Sequence, residues 1–441
     1  MNNNKLNLFS LILIGLSGSV GGAIVSYLGE VINSSSNNSI YVVIICLILG
    51  FCVATPYLLI SKLAIIKGSF YSIVKEGLGE TAGGIAQYLA LTDLLLFSSH
   101  PITIAKYTAS IFPNVNLKLC SIVFILIIFL ICIFGVDSFK KIQNILTIVY
   151  FSLFVVFCVC GISYLKTNNP INVFTIKSYF PKIEIRKILN GIPLILFYTY
   201  GYYSLFCYGH IAKKPTSNIP KAMIICCIAS FIFWILMTVI STNVLPIEEV
   251  SGKPLTYVAN VIMPNNTSVY FVLFGVFFSI ISKYITVVQS ASFGFKQAAI
   301  DGWYPKMMSL TNKYNAPYIS FILIQGVAFI IVLLDIPVSS ILIEVSFLNS
   351  LWLLLVSIAF IYIPKNHPDL FSKDCVISKT LFIFCSIISA FINAILFVIS
   401  SINLSLKIII INVLILILYI AIATYKIKKN LIHCEDSFLS D

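Results

Sequence analysis

Apolar residues fall into runs of roughly 20 residues along most of the chain, and short polar stretches separate these runs. A helix needs about 20 mostly apolar residues to cross the hydrocarbon core of a membrane. Twelve such segments are predicted, at residues 6–32, 40–66, 83–112, 119–136, 142–166, 188–211, 219–245, 268–298, 317–336, 338–363, 378–402 and 404–426. The pattern therefore predicts an all-α integral membrane protein with twelve transmembrane helices.

The composition agrees with this interpretation, because 59% of the residues are hydrophobic and only 10% are charged. Ordinary soluble domains are roughly a quarter charged. No loop is long enough for a soluble domain, so residues 1–441 are expected to form a single membrane domain. The patterns H-E-x-x-H and G-K-[ST] are missing from the sequence, which argues against an enzyme, a metal site, a cofactor or ATP-driven activity.

The net charge of +12 arises mainly from lysines that are concentrated in alternate loops. Loops rich in lysine and arginine stay on the cytoplasmic side of a membrane, so both termini are predicted to be cytoplasmic, in the plasma membrane. The loop at residues 166–187 disagrees, since it would lie outside and carries five basic residues. Because the basic excess is explained by membrane topology, no nucleic-acid partner is expected, and the predicted partners are the lipid bilayer and a small molecule.

The first segment contains the stretch "GLSGSVGGAIVSYLGE", from Gly15 to Glu30. Small residues at every fourth position would form a stripe that lets two helices pack closely. Here the small residues are contiguous over 17–23 apart from Val20, so they cover every face of a helix. We therefore expect the helix to be broken at this point, and close packing without unwinding is the alternative.

The sixth segment contains a second candidate break, at Gly201 in "FYTYGYYSLFCYGH". Interrupted helices in corresponding positions of two halves indicate an inverted-repeat architecture. Segments 1 and 6 are five apart, which predicts a five-plus-five inverted repeat with residues 6–166 as the first repeat and 188–363 as the second. Residues 378–426 are then an appended helix pair.

A break inside a membrane leaves backbone groups that only a cavity or a ligand can satisfy. The amides of residues 21–23 begin a half-helix and suit a carboxylate, because the helix dipole is positive there. Carbonyl groups near Ser19, and those near residues 197–200, suit an ammonium group. A zwitterion is therefore the predicted ligand. The predicted binding residues are Ser19, Gly21, Gly22, Ala23, Phe197, Tyr198, Tyr200 and Gly201.

Lys283 and Asp93 are charged residues well inside predicted membrane segments, where such groups are costly and suggest function. Lys283 lies midway along segment 8. Proton-linked coupling is one role for Lys283, and an ion pair or a snorkelling side chain is the alternative. Asp93, in segment 3, could meet Lys283, line the substrate path or be a buried structural carboxylate.

Three patches of this sequence resemble the amino acid permeases of the amino acid-polyamine-organocation superfamily. "GSVGGAIV" (Gly18 to Val25) is similar to the first-helix pattern G-x-I-G-S-G-I-F. "FYTYGYYSLFCYGHIAKKPTSNIPKAM" (Phe197 to Met223) is similar to the sixth-helix pattern, and "DGWYPKMMSL" (Asp301 to Leu310) to the D-G-x-x-P loop between helices eight and nine. Together with the weaker "KGSFYSIVKEGLG" (Lys67 to Gly79), these patches cover most of the first ten segments.

This resemblance implies a five-plus-five repeat that holds its substrate between segments 1, 3, 6 and 8, with an aromatic gate at Phe197. Related sodium-coupled transporters have a cation site between helices eight and one, so the resemblance also implies that the Lys283 ammonium group could replace that cation by bonding carbonyls near Ser17 and Gly18. It also implies a secondary active transporter of amino acids or related amines that works by alternating access. The usual acidic residues after the sixth-helix break are replaced by Tyr203 and His210, and Lys62 stands where glutamate is common. Coupling is therefore not inherited from the resemblance. The competing interpretation is a membrane receptor of the same fold that binds an amino acid without moving it, as related germinant receptor subunits are thought to do.

Overall fold

The computed structural model describes residues 5–168, 181–263, 267–336, 338–371, 377–402, 404–434 and 436–439, and these residues are almost entirely helical. The first half contains the helices α1 (Leu8–Ser19), α2 (Gly21–Ser35), α3 (Ser39–Leu63), α4 (Ser69–Leu78), α5 (Glu80–Asp93), α6 (Ser99–Ile111), α7 (Leu117–Ile133) and α8 (Gly135–Asn168). The second half contains α9 (Ile185–Thr199), α10 (Pro215–Val244), α11 (Ile247–Val250), α12 (Thr256–Ile262), α13 (Thr267–Tyr270), α14 (Phe277–Ile300), α15 (Tyr318–Leu333), α16 (Val338–Asn366), α17 (Lys379–Ile402) and α18 (Leu406–Lys428). The predicted all-α class is confirmed.

Among the described residues, eight helical runs are long and apolar enough to cross a membrane. They are Leu8–Leu63, Glu80–Ala109, Ser138–Asn168, Pro215–Val244, Thr267–Ile300, Phe347–Asn366, Lys379–Ile402 and Leu406–Lys428. Two shorter apolar helices, Leu117–Ile133 and Tyr318–Leu333, accompany them. Many large apolar side chains on these helices are exposed, and they include Phe384, Phe391, Ile402, Leu406 and Leu414. Exposed side chains of this kind suit lipid rather than water, so the chain is an integral, multi-pass membrane protein.

The helix at the first glycine-rich stretch is interrupted at one residue only. α1 ends at Ser19, α2 begins at Gly21, and Val20 between them keeps right-handed dihedral angles. The Val20 amide still donates a helical hydrogen bond to the Leu16 carbonyl at 2.9 Å. The interruption is therefore narrower than the contiguous small residues over 17–23 suggest, because the backbone continues its helical turn through them.

Among the described residues, three helical stretches of five or more residues leave the α-helical geometry. α9 ends at Thr199 and is capped by Tyr200, and the chain continues as a 3₁₀ helix from Gly201 to Ile211. A shorter 3₁₀ helix, Leu94–Ser98, joins α5 to α6, and a π-helical stretch, Phe271–Val276, precedes α14. Long 3₁₀ and π stretches are uncommon and often mark functional positions.

The interrupted helices lie at the centre of the molecule. α1 packs against α8, α10, α14 and the 3₁₀ helix at 201–211. All residues of α1 from Leu13 to Ser19 are buried. The outer positions are occupied by helices such as α18. Only 11% of the most apolar part of α18 is buried inside the protein. A site at the interrupted helices would therefore lie at the centre of the bundle.

A short two-stranded sheet joins distant parts of the chain. β1 (Ile65–Ile66) follows α3 and pairs antiparallel with β2 (Phe438–Leu439). The Lys67 amide also donates to the Ser437 carbonyl at 3.0 Å. Residues 437–439 thus lie against the loop between α3 and α4, a contact that the apolar pattern did not predict.

Candidate functional site

A cavity of about 240 Å³ lies where the interrupted stretches meet. Its aromatic lining residues are Phe70, Tyr71, Phe97, Tyr198, Tyr203, Phe295 and Trp352. Its polar side chains belong to Ser69, Gln87, Asp93, Ser99, His100, Ser204, Lys283, Ser290 and Asn349. Apolar walls with a few placed polar groups are typical of small-molecule sites.

Gly18 and Gly201 hold the two interrupted helices directly against each other at the cavity wall. A Cβ atom at Gly18 would lie 2.9 Å from the Gly201 carbonyl oxygen, and one at Gly201 would overlap the Gly18 carbonyl oxygen. Glycine is needed at both positions because the two backbones touch. This contact brings the two predicted breaks together in space.

Lys283, from α14, reaches this junction from the opposite side. Its side chain is only 4% exposed. The ammonium Nζ donates to the Gly18 carbonyl oxygen at 3.3 Å and lies 4.5 Å from the centre of the Tyr198 ring. A cation over an aromatic face is attracted by the ring electrons. Lys283 therefore meets a carbonyl group beside the interruption, as the sequence suggested, while its role in coupling stays a prediction.

Asp93 is the last residue of α5, just before the 3₁₀ turn, and it is half-buried. Its Oδ1 accepts a hydrogen bond of 2.8 Å from Nδ2 of Asn349 on α16. An ion pair with Lys283 was one possible role for Asp93. Within the described residues no contact of 4.0 Å or less joins the two charged groups, although both line the cavity.

The predicted binding residues fall into two groups in this structure. Tyr198 and Gly201 line the cavity, whereas Ser19, Gly21, Gly22, Ala23 and Tyr200 do not. The side chain of Phe197, the predicted gate, lies outside the described residues. The binding role of these residues stays a prediction.

The residues of the first interruption that lie away from the cavity contact protein instead. The Ser19 carbonyl accepts a hydrogen bond of 2.8 Å from the buried indole of Trp234. A Cβ atom at Gly21 would lie 3.1 Å from the Tyr150 hydroxyl, and one at Gly22 would lie 3.0 Å from the Cα of Ile280. Close helix packing, the alternative to unwinding, therefore accounts for these positions in this conformation.

Asn349 and Trp352 were not singled out from the sequence, yet both line the cavity. Both lie on α16, three residues apart, so they share one helix face. An asparagine inside an apolar segment was the available indication, because polar groups within a membrane are costly unless they are partnered. The sequence could not show which helix face points inward.

Aromatic rings cover the cavity at two places. Tyr27 of α2 stacks on Tyr198 with ring centres 4.0 Å apart and an interplanar angle of 16°. Elsewhere in the wall, Phe70 packs against Trp352 at 4.8 Å and against Phe206 at 4.9 Å. Two aromatic layers thus bound the space next to Lys283 and Asp93.

The sequence is similar to those of known transport proteins. The chain is 21% identical over 277 residues to the methylthioribose transporter of Bacillus subtilis (strain 168). The aligned part covers 57% of this chain and 58% of that protein, so it spans less than two thirds of the relative. This relative is described as a transporter and not as an enzyme.

A family model described as amino acid permease matches residues 6–422. This match confirms the resemblance that the three sequence patches indicated. It covers both interrupted helices, the cavity and nearly all of the predicted segments. The chain therefore belongs to the amino acid permease family.

Proposed function

We propose that this protein is a secondary active transporter of amino acids or closely related amines. The observation that carries the proposal is the cavity at the junction of two interrupted helices, with Lys283 and Asp93 both in its wall. Charged side chains inside a membrane bundle are typical of substrate and ion pathways. Membership of the amino acid permease family supports the same function.

The size of the cavity favours a small substrate. Pockets for drug-sized ligands are roughly 300–1,000 Å³, whereas this cavity is about 240 Å³. A free amino acid or a small amine suits such a space better than a nucleotide or a peptide. The aromatic lining adds apolar contact area for the rest of the ligand.

The proposed architecture has twelve crossings. The run Leu8–Leu63 contains 56 residues, which is about 84 Å of helix and far more than the roughly 30 Å of a hydrocarbon core. It therefore accounts for two crossings, with the turn at Ser36, where φ is 50°. The other seven runs cross once each, so the eight runs give nine crossings. The two shorter apolar helices and the interrupted stretch 185–211 add three more, which makes twelve.

In this proposal residues 6–166 and 188–363 are the inverted repeats, and residues 378–426 are the appended pair. Rocking of one helix group against the other would expose the cavity to each side in turn. The lysine distribution supports cytoplasmic termini in the plasma membrane. Lys283 is the proposed proton-linked residue, because its ammonium group meets the Gly18 carbonyl at the interruption.

The test is uptake by proteoliposomes that contain the purified protein. A mixture of labelled amino acids is supplied with and without an inward proton or sodium gradient, and methylthioribose is supplied separately because the relative is named for it. Saturable accumulation that a gradient stimulates would establish a permease and its coupling ion. Specific binding without accumulation under any gradient would favour the receptor instead.

Two variants refine this experiment. Lys283→Ala should change the pH dependence of uptake, and an identical pH profile would remove Lys283 from the coupling role. Ser152→Ala is the control, because Ser152 is exposed on α8, does not line the cavity and carries no charge.

A further inference from the structure

Lys283 and Asp93 are the two charged side chains among the described residues that line the cavity, if histidine is taken as neutral. In the described part of the chain neither forms an ion pair. The recorded partners of Lys283 are the Gly18 carbonyl oxygen and the Tyr198 ring. Asp93 is bonded by the neutral Asn349 amide. One cavity thus presents a positive and a negative group that do not neutralise each other.

Unpaired charges of this kind are costly in a medium of low dielectric constant. A ligand that carries the two complementary charges would remove the cost at both groups at once. A neutral sugar would not remove this cost at either charged group. An amine or a carboxylic acid would remove it at only one of the two groups. The ligand that fits both groups is a zwitterion.

We propose that the Asp93 carboxylate binds the ammonium group of the substrate and that the Lys283 ammonium binds its carboxylate. This inference rests on the proposed function and identifies the side chains that select the substrate charges. Asn349 bonds Oδ1 of Asp93, and within the described residues no hydrogen bond to Oδ2 is found, so this second oxygen is available to the ligand.

The assignment differs from recognition by backbone groups at residues 19–23. Of the residues around the first interruption only Gly18 lines the cavity, and its carbonyl oxygen is bonded by Lys283. The Ser19 carbonyl, predicted to face an ammonium group, is bonded by Trp234. Side chains therefore present the accessible charges in this conformation.

The experiment compares three ligands that differ only in their charged groups. They are the amino acid that the wild-type protein accumulates, the amine that it gives on decarboxylation and the acid that lacks its amino group. For L-alanine these are L-alanine, ethylamine and propanoate. Binding of each ligand is measured by competition against the labelled amino acid. The proteins compared are the wild type, Asp93→Asn, Lys283→Gln and the uncharged control Ser152→Ala.

Asp93→Asn should weaken binding of the amino acid and of the amine by at least about thirtyfold and leave the acid nearly unchanged. Lys283→Gln should weaken the amino acid and the acid to a similar extent and leave the amine nearly unchanged. Ser152→Ala should bind all three ligands as the wild type does, because Ser152 lies outside the cavity and its hydroxyl bonds the Ile148 carbonyl of its own helix. This opposite pattern is not expected from general damage to the fold.

Equal weakening of all three ligands by either variant, or unchanged affinity in a folded variant, would overturn the inference. If Asp93→Asn does not fold, Asp93→Glu keeps the charge and should retain amine binding, and loss of amine binding by folded Asp93→Glu would count against the inference. Failure of the wild type to bind any amino acid would instead refute the proposed function, so the two failures are distinguishable.

Discussion

At the scale of single residues, the absence of a side chain at Gly18 and Gly201 decides how closely the two interrupted helices approach. A Cβ atom at either position would meet backbone, not a flexible side chain that could move aside. Gly326 on α15 is different, since a Cβ atom there would meet nothing within 4 Å. The chain thus offers a sensitive and an insensitive glycine for the same substitution.

Gly201→Ala should therefore lower the free energy of unfolding by about 1–3 kcal/mol, the usual cost of forcing extra atoms into a packed core. The measurement is unfolding of the purified protein in detergent, and substrate binding should weaken as the cavity wall moves. Gly326→Ala is the control and should stay within about 0.5 kcal/mol of the wild type. Equal stability of the two variants would show that the Gly18–Gly201 contact does not determine the packing.

At the scale of the helix, the interruption at Val20 leaves a carbonyl that another helix satisfies. Trp234 of α10 donates its indole N–H to the Ser19 carbonyl oxygen, and both residues are fully buried. In hydrocarbon a backbone carbonyl has no water as an alternative partner. Trp234 therefore stabilises the end of α1 from outside that helix.

Trp234→Phe keeps an aromatic ring but removes the donor, so it should destabilise the protein by about 1–3 kcal/mol. Thermal unfolding in detergent measures this loss. Thr242→Val on the same helix is the control. Among the described residues, the partners of the Thr242 hydroxyl all belong to its own helix: it donates to the Thr238 and Val239 carbonyls and accepts from the Asn243 side-chain amide. A loss for Thr242→Val that matches the loss for Trp234→Phe would argue against a special role for the Ser19 carbonyl.

At the scale of the whole molecule, residues 431–434 and 436–439 contact two loops that are far apart in sequence. β2 pairs with β1 after α3, while the His433 amide donates to the Asp301 carbonyl at 3.0 Å. Gly302, with φ of 99°, lies so close to the Leu431 carbonyl that a Cβ atom would overlap it. These contacts hold the loop before α4 and the loop after α14 together.

The reactivity of the Cys434 thiol can be used to follow the contact between Gly302 and Leu431. Burial, together with the nearby Asp301 carboxylate, raises the pKa of its thiol from 9.0 to about 12. The thiolate is the reactive form, so at pH 8 the wild-type thiol should react with iodoacetamide roughly a thousandfold more slowly than a thiol of pKa 9, and its rate should rise about tenfold per pH unit up to about pH 12.

Gly302→Ala should loosen residues 431–434, lower the pKa of the Cys434 thiol towards its usual value and raise its alkylation rate at pH 8 by at least about tenfold. Mass spectrometry of the Cys434 peptide in detergent-solubilised protein gives the rate. Gly252→Ala is the matched control, because Gly252 also has a positive φ, 66°, but its nearest neighbour, Asn33, would be in ordinary contact at 3.8 Å. Equal rates for the two variants would mean that backbone strain, rather than the Leu431 contact, is responsible.

The sequence by itself determined the class of the protein. Long apolar runs have few alternatives to membrane helices, because backbone groups in hydrocarbon must bond within their own segment. The patches around Gly18, Gly201 and Asp301 also sufficed to indicate the family that the family model confirmed. Gly201, Tyr198, Lys283 and Asp93 were identified as candidates because glycine, charge and aromatic clusters stand out against an apolar background.

Only the tertiary structure decided which of these groups face one another. Composition marked residues 17–23 as unusual but could not distinguish an unwound helix from close packing, since both need small residues, and the distinction depends on neighbours such as Trp234 and Ile280. The positions of Asn349 beside Asp93 and of β2 beside β1 depend on contacts between residues hundreds of positions apart. Such contacts follow from how helix faces turn towards each other, and an apolar pattern does not define that rotation when lipid and the protein core are equally apolar.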